Sequence, residues 1–147
     1  MVKIYLDTCA LQRPLDTKNQ LRIALESEAV LGLLSLWEGG GIELIFSDAH
    51  IFEAENNTNI TRKEFAFEIS SQTVSFTRFN ESIEKQAKEI HKKGIQPLDT
   101  LYLAFADASS ADFFCTCDDD LLKDSKDIEN LKPHVISPIN LIKELEK

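Results

Sequence analysis

Four acidic residues, Asp7, Glu53, Asp99 and Asp118, stand beside strongly apolar runs or near the start of helical stretches. If such carboxylates converge in one pocket, divalent cations would neutralise them and then bind phosphate. Oxygen ligands of this kind suit hard cations such as Mg²⁺ and Mn²⁺. Without a cation the carboxylates would repel one another, which raises the pKa of some of them. The chemistry that this residue set allows is therefore metal-assisted reaction at a phosphate.

Each acid also has a purely structural explanation. Asp7 would cap the segment that follows it, and Asp99 and Asp118 would complement helix dipoles as first-turn acids. Glu53 would lie on a solvated helix face, since charged side chains usually remain in water. Only the arrival of all four at one place favours a shared site.

The hydrophobic pattern predicts the elements that position these acids. Strands are predicted over residues 1–6, 42–46, 74–79, 113–116 and 135–136, and helices over 20–37, 48–56, 61–70, 81–92, 97–108 and 138–146. Strands that alternate with helices indicate βαβ units, and therefore a parallel sheet with helices on both faces. Ligands bind outside the carboxyl ends of such strands. Asp7 and Asp118 follow predicted strands, and Glu53 and Asp99 lie in helices that begin near the same edge.

Finer expectations follow from the same pattern. Residues 9–16 are predicted as a turn and short loop, and Thr61 with Glu64 as the capping box of a helix. The inward face of the helix over 20–37 is predicted to contain Leu21, Leu25, Leu31, Leu34 and Trp37. Glu28 is the charged residue that interrupts this apolar series. In the helix over 97–108 the inward residues are predicted to be Leu98, Leu101, Tyr102, Phe105 and Ala108.

Length and composition indicate an ordinary globular protein. The 147 residues, 43% apolar and 28% charged, favour a single domain over 1–147. No apolar run approaches the roughly 20 residues needed to cross a membrane, and no signal peptide is recognisable, so a cytoplasmic location is expected. A net charge of −9 speaks against a protein that holds nucleic acid by a basic surface.

The other reactive residues suggest no competing site. Three cysteines fit neither a disulfide framework nor a zinc site; Cys115 and Cys117 are predicted in the core, and a redox pair with Cys9 is conceivable. The histidines are scattered, and His91 and His134 are predicted at the surface.

Several local motifs, spread over nearly the whole chain, resemble the PIN domain family. IYLDT at residues 4–8 is similar to the family's first strand and first aspartate. PLDTLYLA at 97–104 is similar to its third acidic motif, and ADFFCTCD at 111–118 to its closing strand with a Thr-x-Asp end. Ser47, followed six residues later by Glu53, resembles the second acidic position.

This resemblance implies a three-layer α/β/α fold with a central parallel sheet of about five strands in the order 3-2-1-4-5. It also implies a Mg²⁺- or Mn²⁺-dependent ribonuclease that cleaves RNA phosphodiester bonds with an activated water, of the VapC-like kind found in bacterial toxin–antitoxin pairs. Asp7, Asp99 and Asp118 would be metal ligands, and Glu53 would ligate or orient the water. Three further residues would support the site. Thr8 and Thr116 would hold a water or an acid by hydrogen bonds, and Arg13 would contact phosphate. A cognate antitoxin and a homodimer are further implied partners.

Other interpretations stay open. Cys9 stands where the family often has a small polar residue, the early loop and helix are longer than in its most compact members, and Glu55 is an alternative to Glu53. A phosphotransfer receiver or phosphatase would need a second acid beside Asp7 and a late lysine after a strand, which the chain lacks. A catalytically inactive PIN-like module that binds protein or RNA is the second alternative.

Overall fold

A parallel sheet of five strands forms the centre of the molecule. The computed structural model describes residues 1–147 and places the strands in the order β3-β2-β1-β4-β5. The strands are β1 (Lys3–Leu6), β2 (Glu43–Ser47), β3 (Ser75–Thr77), β4 (Phe113–Cys115) and β5 (His134–Ile136), and every neighbouring pair is parallel. The fold class and strand order expected from the sequence are confirmed.

Eight α-helices surround this sheet. They are α1 (Thr8–Leu11), α2 (Leu21–Glu38), α3 (Asp48–Glu55), α4 (Ile60–Gln72), α5 (Glu81–His91), α6 (Pro97–Ala108), α7 (Asp119–Asp124) and α8 (Pro138–Leu145). Short 3₁₀ turns cover Arg13–Leu15 and Ser125–Asp127. No helix is both long and apolar enough to cross a bilayer.

Alternation along β1 divides the core into two layers. Ile4 and Leu6 pack in a cluster with α2, α4 and α8, whereas Tyr5 packs with α5 and α6 on the opposite face. Because successive side chains of a strand point to opposite faces, a four-residue strand feeds both clusters. β1 is thus buried on both sides, which holds its carboxyl end rigidly where Asp7 follows.

The buried face of α2 differs from the predicted stripe. Leu21, Leu25 and Leu31 are exposed, at 76%, 50% and 45% of their surface, whereas Leu34 is buried as predicted and the helix also buries Glu26, Ser27, Val30 and Leu33. The prediction was wrong at these three leucines because it followed their spacing alone and did not foresee that Glu26 is buried. Two arginines neutralise that carboxylate, so Glu26 can face the core while Glu28 remains exposed.

Other local predictions also need correction. Residues 9–16 are mostly helical, because α1 and the 3₁₀ turn Arg13–Leu15 follow β1 directly. The cap of α4 is Asn59, whose Oδ1 accepts the Arg62 N–H at 3.1 Å, so Thr61 is not the cap. β3 is shorter than predicted, with Val74 94% exposed, and Leu98 and Ala108 of α6 face solvent.

Candidate active site

The four predicted acids line one open cleft of about 250 Å³. Its lining consists of Asp7, Thr8, Cys9, Arg13, Glu53, Asp99, Cys117 and Asp118. Asp7 and Asp118 come from the segments after β1 and β4, and α3, which follows β2, contributes Glu53. Glu55, the alternative to Glu53, is exposed and is not part of this lining.

Asp7 is the most buried of the four, at 6% exposure. It precedes α1, yet its side chain makes no capping hydrogen bond, so the simplest structural explanation does not apply. Its Oδ2 instead accepts hydrogen bonds from Thr116 Oγ1 at 2.8 Å and from Cys9 Sγ at 3.3 Å. Burial raises the pKa of Asp7 well above its ordinary value, and the negative charge of Asp99 adds to that rise.

Asp118 combines the structural role with a place in the cleft. Its Oδ1 accepts the N–H groups of Asp120 at 2.9 Å and Leu121 at 3.3 Å, which caps α7. Its own N–H donates to Thr116 Oγ1 at 3.1 Å. The hydroxyl of Thr116 therefore joins the first and last acids of the set, as expected of a threonine that holds an acid.

Asp99 and Glu53 complete the cleft from the helices. Asp99 lies in the first turn of α6 and is partly buried. Its pKa is raised, first by burial and then by the charges of Asp118 and Glu53. Repulsion of this kind requires that the carboxylates lie near one another.

A buried polar layer beneath the acids was missed by the sequence analysis. His50 of α3 is 3% exposed; its Nε2 donates to the Leu6 carbonyl at 2.6 Å, and its Nδ1 accepts the Ser47 N–H at 3.1 Å. Burial lowers the pKa of His50 to about 4, so the ring is neutral at pH 7. Its only signal in the sequence was its position three residues after the Ser47 cap.

Two tyrosines extend the polar layer. The Tyr5 hydroxyl lies 2.6 Å from Ser47 Oγ, and the Tyr102 hydroxyl lies 2.5 Å from Thr8 Oγ1. Thr8, predicted to hold a water or an acid, is thus bonded to a tyrosine of α6. Because both tyrosine rings also pack against His50, the layer connects β1, α3 and α6.

Arg13 reaches the cleft but is not a free surface cation. Its Nε and Nη2 donate to Glu26 Oε1 at 3.0 and 2.8 Å, and its Nη1 donates to Asp16 Oδ2 at 3.0 Å.

The cysteines and the other histidines lie where the sequence predicted them. Cys115 and Cys117 are buried in one core cluster, and His91 and His134 are exposed. All three thiols are free.

The side chains of the cleft offer oxygen ligands for a divalent cation. No three His, Cys, Asp or Glu side chains already converge in a way that could hold a metal ion. The chemistry of the cleft nevertheless suits one, since four carboxylates line it and the pKa values of Asp7 and Asp99 are raised in part by neighbouring negative charge. A hard cation favours such oxygen ligands and would relieve this repulsion.

Comparison with solved structures finds the same fold in two complexes of protein with DNA. The chain is similar to one described as FitAB bound to IR36 DNA fragment, with a TM-score of 0.59 and 19% identity over 92% of this chain and 95% of that one. It is also similar to VapBC2 from Rickettsia felis bound to a DNA fragment from their promoter, with a TM-score of 0.56 and 14% identity over 92% and 97% of the two chains.

Sequence comparison gives the family. No curated protein sequence matches the chain. The family model described as PIN domain matches residues 4–126, which include all of β1 except Lys3, the whole of β4 and all four acids of the cleft. On this match over most of its length, the chain belongs to the PIN domain family.

Proposed function

We propose that this protein is a metal-dependent ribonuclease that hydrolyses RNA phosphodiester bonds, acting as a single domain over residues 1–147. The observation that carries the proposal is the convergence of Asp7, Glu53, Asp99 and Asp118 on one cleft at the carboxyl edge of the sheet. Membership of the PIN family supports nuclease chemistry. RNA as the substrate, and Mg²⁺ or Mn²⁺ as the cation, are part of the proposal.

Within this proposal each residue has a definite task. Asp7, Asp99 and Asp118 would hold the cation, and Glu53 would orient the attacking water by accepting one of its hydrogens. Thr116 donates a hydrogen bond to the Asp7 carboxylate and accepts one from the Asp118 N–H, so it holds both residues in place. A bound divalent cation would supply positive charge for the phosphate and lower the pKa of a water.

The likeness to FitAB and VapBC2 extends the proposal to partners. Those structures contain FitAB and VapBC2 bound to DNA, and the motifs of this chain resemble those of VapC-like toxins. We therefore include in the proposal that this chain is the toxin of such a pair, with a cognate antitoxin, that it forms a homodimer, and that it acts in the cytoplasm on RNA. The alternative is an inactive PIN-like module that binds RNA or protein.

Cleavage of a labelled single-stranded RNA tests the proposal directly. The parent protein should cut with Mn²⁺ or Mg²⁺ and stop when EDTA is added. Asp99→Asn should lower the rate by at least about 100-fold, because it removes a carboxylate from the charged centre while leaving the fold intact. The matched control is Asp120→Asn, which changes an exposed acid of α7 outside the cleft and should cut at the parental rate.

Thermal unfolding with and without Mn²⁺ separates the two interpretations. Because a ligand that binds the folded state raises Tm, the parent should gain stability from Mn²⁺ and Asp99→Asn should gain less. A cation-dependent rise in Tm without any RNA cleavage would favour the inactive module. Equal cleavage by the parent and by the Asp7→Asn/Asp99→Asn double variant would show that the nuclease is a contaminant.

A further inference from the structure

Glu26 is a buried carboxylate that the proposed chemistry does not use. It lies in the second turn of α2 and is only 1% exposed. Its Oε1 accepts two hydrogen bonds from Arg13, and its Oε2 accepts one from Arg22 Nε at 3.4 Å. Burying a charge is unfavourable unless it is paired, so a glutamate here requires both arginines.

The arginines connect Glu26 to the two segments that carry the acids. Arg13 stands six residues after Asp7 and lines the cleft. Arg22 donates to both carboxylate oxygens of Asp119 at 2.7 Å and to the Cys117 carbonyl at 3.2 Å, so it holds the residues on either side of Asp118. Glu26 therefore ties the segment after β1 to the segment after β4.

Arg13 keeps hydrogen-bonding capacity after these bonds are made. A guanidinium has five N–H donors. Three of them are accounted for by Glu26 and Asp16, which leaves one on Nη1 and one on Nη2, and Arg13 lines the cleft. The planar guanidinium matches the oxygens of a phosphate. Its orientation is fixed because Glu26 accepts hydrogen bonds from Nε and Nη2.

We propose that Glu26 is a positioning residue. It fixes the Arg13 guanidinium at the rim of the acidic cleft, so that the two remaining N–H groups of Arg13 donate hydrogen bonds to an RNA phosphate. This inference rests on the proposed ribonuclease function. Glu26 touches no substrate; it acts through Arg13. In a molecule with a net charge of −9, one arginine aligned beside four carboxylates gives the RNA backbone a cationic contact at the cleft.

The test compares Glu26→Gln, Arg13→Ala and the double variant with the parent. Glu26→Gln and Arg13→Ala should each raise KM for single-stranded RNA about tenfold, the effect of one charge-assisted hydrogen bond, while kcat changes less than about threefold. The double variant should have the same KM as Arg13→Ala, since the inferred effect of Glu26 on KM passes through Arg13. Glu28→Gln, on an exposed position of the same helix, should keep the parental KM.

A second measurement reports on position without catalysis. In ¹⁵N spectra the Arg13 Nε–H signal, identified by its loss in Arg13→Ala, should be protected in the parent and lost or exchange-broadened in Glu26→Gln. If Glu26→Gln does not fold, Glu26→Asp keeps the charge on a shorter side chain and should raise KM by an intermediate factor. An unchanged KM together with an unchanged Arg13 signal in a folded Glu26 variant overturns the inference.

The two proposals fail in different ways. If the parent cuts no RNA, the ribonuclease function is wrong, and the Arg13 signal still decides whether Glu26 holds that guanidinium. If the parent cuts RNA and the effects of Glu26→Gln and Arg13→Ala on KM multiply in the double variant, the ribonuclease stands. In that case the dependence of Arg13 on Glu26 is refuted.

Discussion

At the scale of single residues, the Thr116 hydroxyl is the centre of the site's hydrogen bonding. It is fully buried, donates to Asp7 at 2.8 Å and accepts the Asp118 N–H at 3.1 Å. Thr116→Val keeps the shape of the side chain and removes both bonds. We expect kcat for RNA to fall about 10- to 100-fold, as for lost supporting groups at metal sites, and stability to fall by about 1–3 kcal/mol.

Thr116→Ser is the matched control, because it keeps the hydroxyl and removes only a methyl group. It should retain most of the parental kcat, measured with the same RNA, and lose less stability to urea. A valine variant that cuts RNA like the parent would mean that the hydroxyl does not position the acids.

At the scale of elements, His50 joins α3 to the end of β1. Its bond to the Leu6 carbonyl lies directly before Asp7, and Glu53 follows one helical turn later, so one imidazole relates two of the four acids. The ring must be neutral, since an imidazolium could not accept the Ser47 N–H. The titratable groups packed against it are Tyr5 and Tyr102, whose raised pKa values keep both phenols neutral below pH 7.

This arrangement predicts a loss of stability in mild acid. The pKa of His50 is about 4 in the folded protein against an ordinary value of 6.5, so the unfolded chain binds the proton more readily. The contribution of neutral His50 to the free energy of unfolding is therefore complete above about pH 6.5 and declines as the pH falls toward 4. Between pH 7 and pH 5 the decline should be about 2 kcal/mol.

Urea unfolding of the parent and of His50→Gln at the two pH values measures this contribution. The raised pKa of Asp7 acts in the opposite direction but is common to both proteins, so the difference between them isolates His50. The glutamine variant should be less stable at pH 7 and should lose about 2 kcal/mol less on acidification. Parallel pH dependence in the two proteins would refute the prediction.

At the scale of the whole molecule, the negative charge limits how RNA is held. With a net charge of −9, and with Arg13, Arg22 and Arg62 all in ion pairs, few cations remain near the cleft. The logarithm of KM should therefore rise with the logarithm of salt concentration with a slope under about 2, which corresponds to few phosphate contacts. The measurement is KM from 50 to 300 mM NaCl at fixed Mn²⁺.

A slope of 5 or more would contradict this expectation and indicate a second cationic surface. The structure offers one candidate, a cleft of about 510 Å³ beside β5 and α8 whose lining includes Lys126, Lys143 and Lys147. The control variant Lys126→Gln should leave the slope unchanged if RNA contacts only the acidic cleft and its rim.

The sequence predicted correctly the features that depend on neighbouring residues, and it missed those that depend on contacts between residues far apart in the chain. The strands after which Asp7 and Asp118 stand were predictable because apolar runs that end at a polar residue carry a local signal, and parallel topology then places their ends at one edge. The α2 prediction was right at Leu34 and wrong at three other leucines, because whether Glu26 is buried depends on Arg13, thirteen residues away, and on Arg22. A helical period alone does not show which charged residues have partners.

What the sequence by itself determined is the α/β class, the parallel sheet and the set of acids at its carboxyl edge, because hydrophobic period and element order are local properties. Only the tertiary structure decided that Glu53 and not Glu55 lines the cleft, and that Asp7 is bonded by Thr116 instead of capping α1. It also revealed the His50 layer and the buried Glu26. These features depend on bonds between residues up to 109 positions apart, and such partners are identified only when the chain is folded.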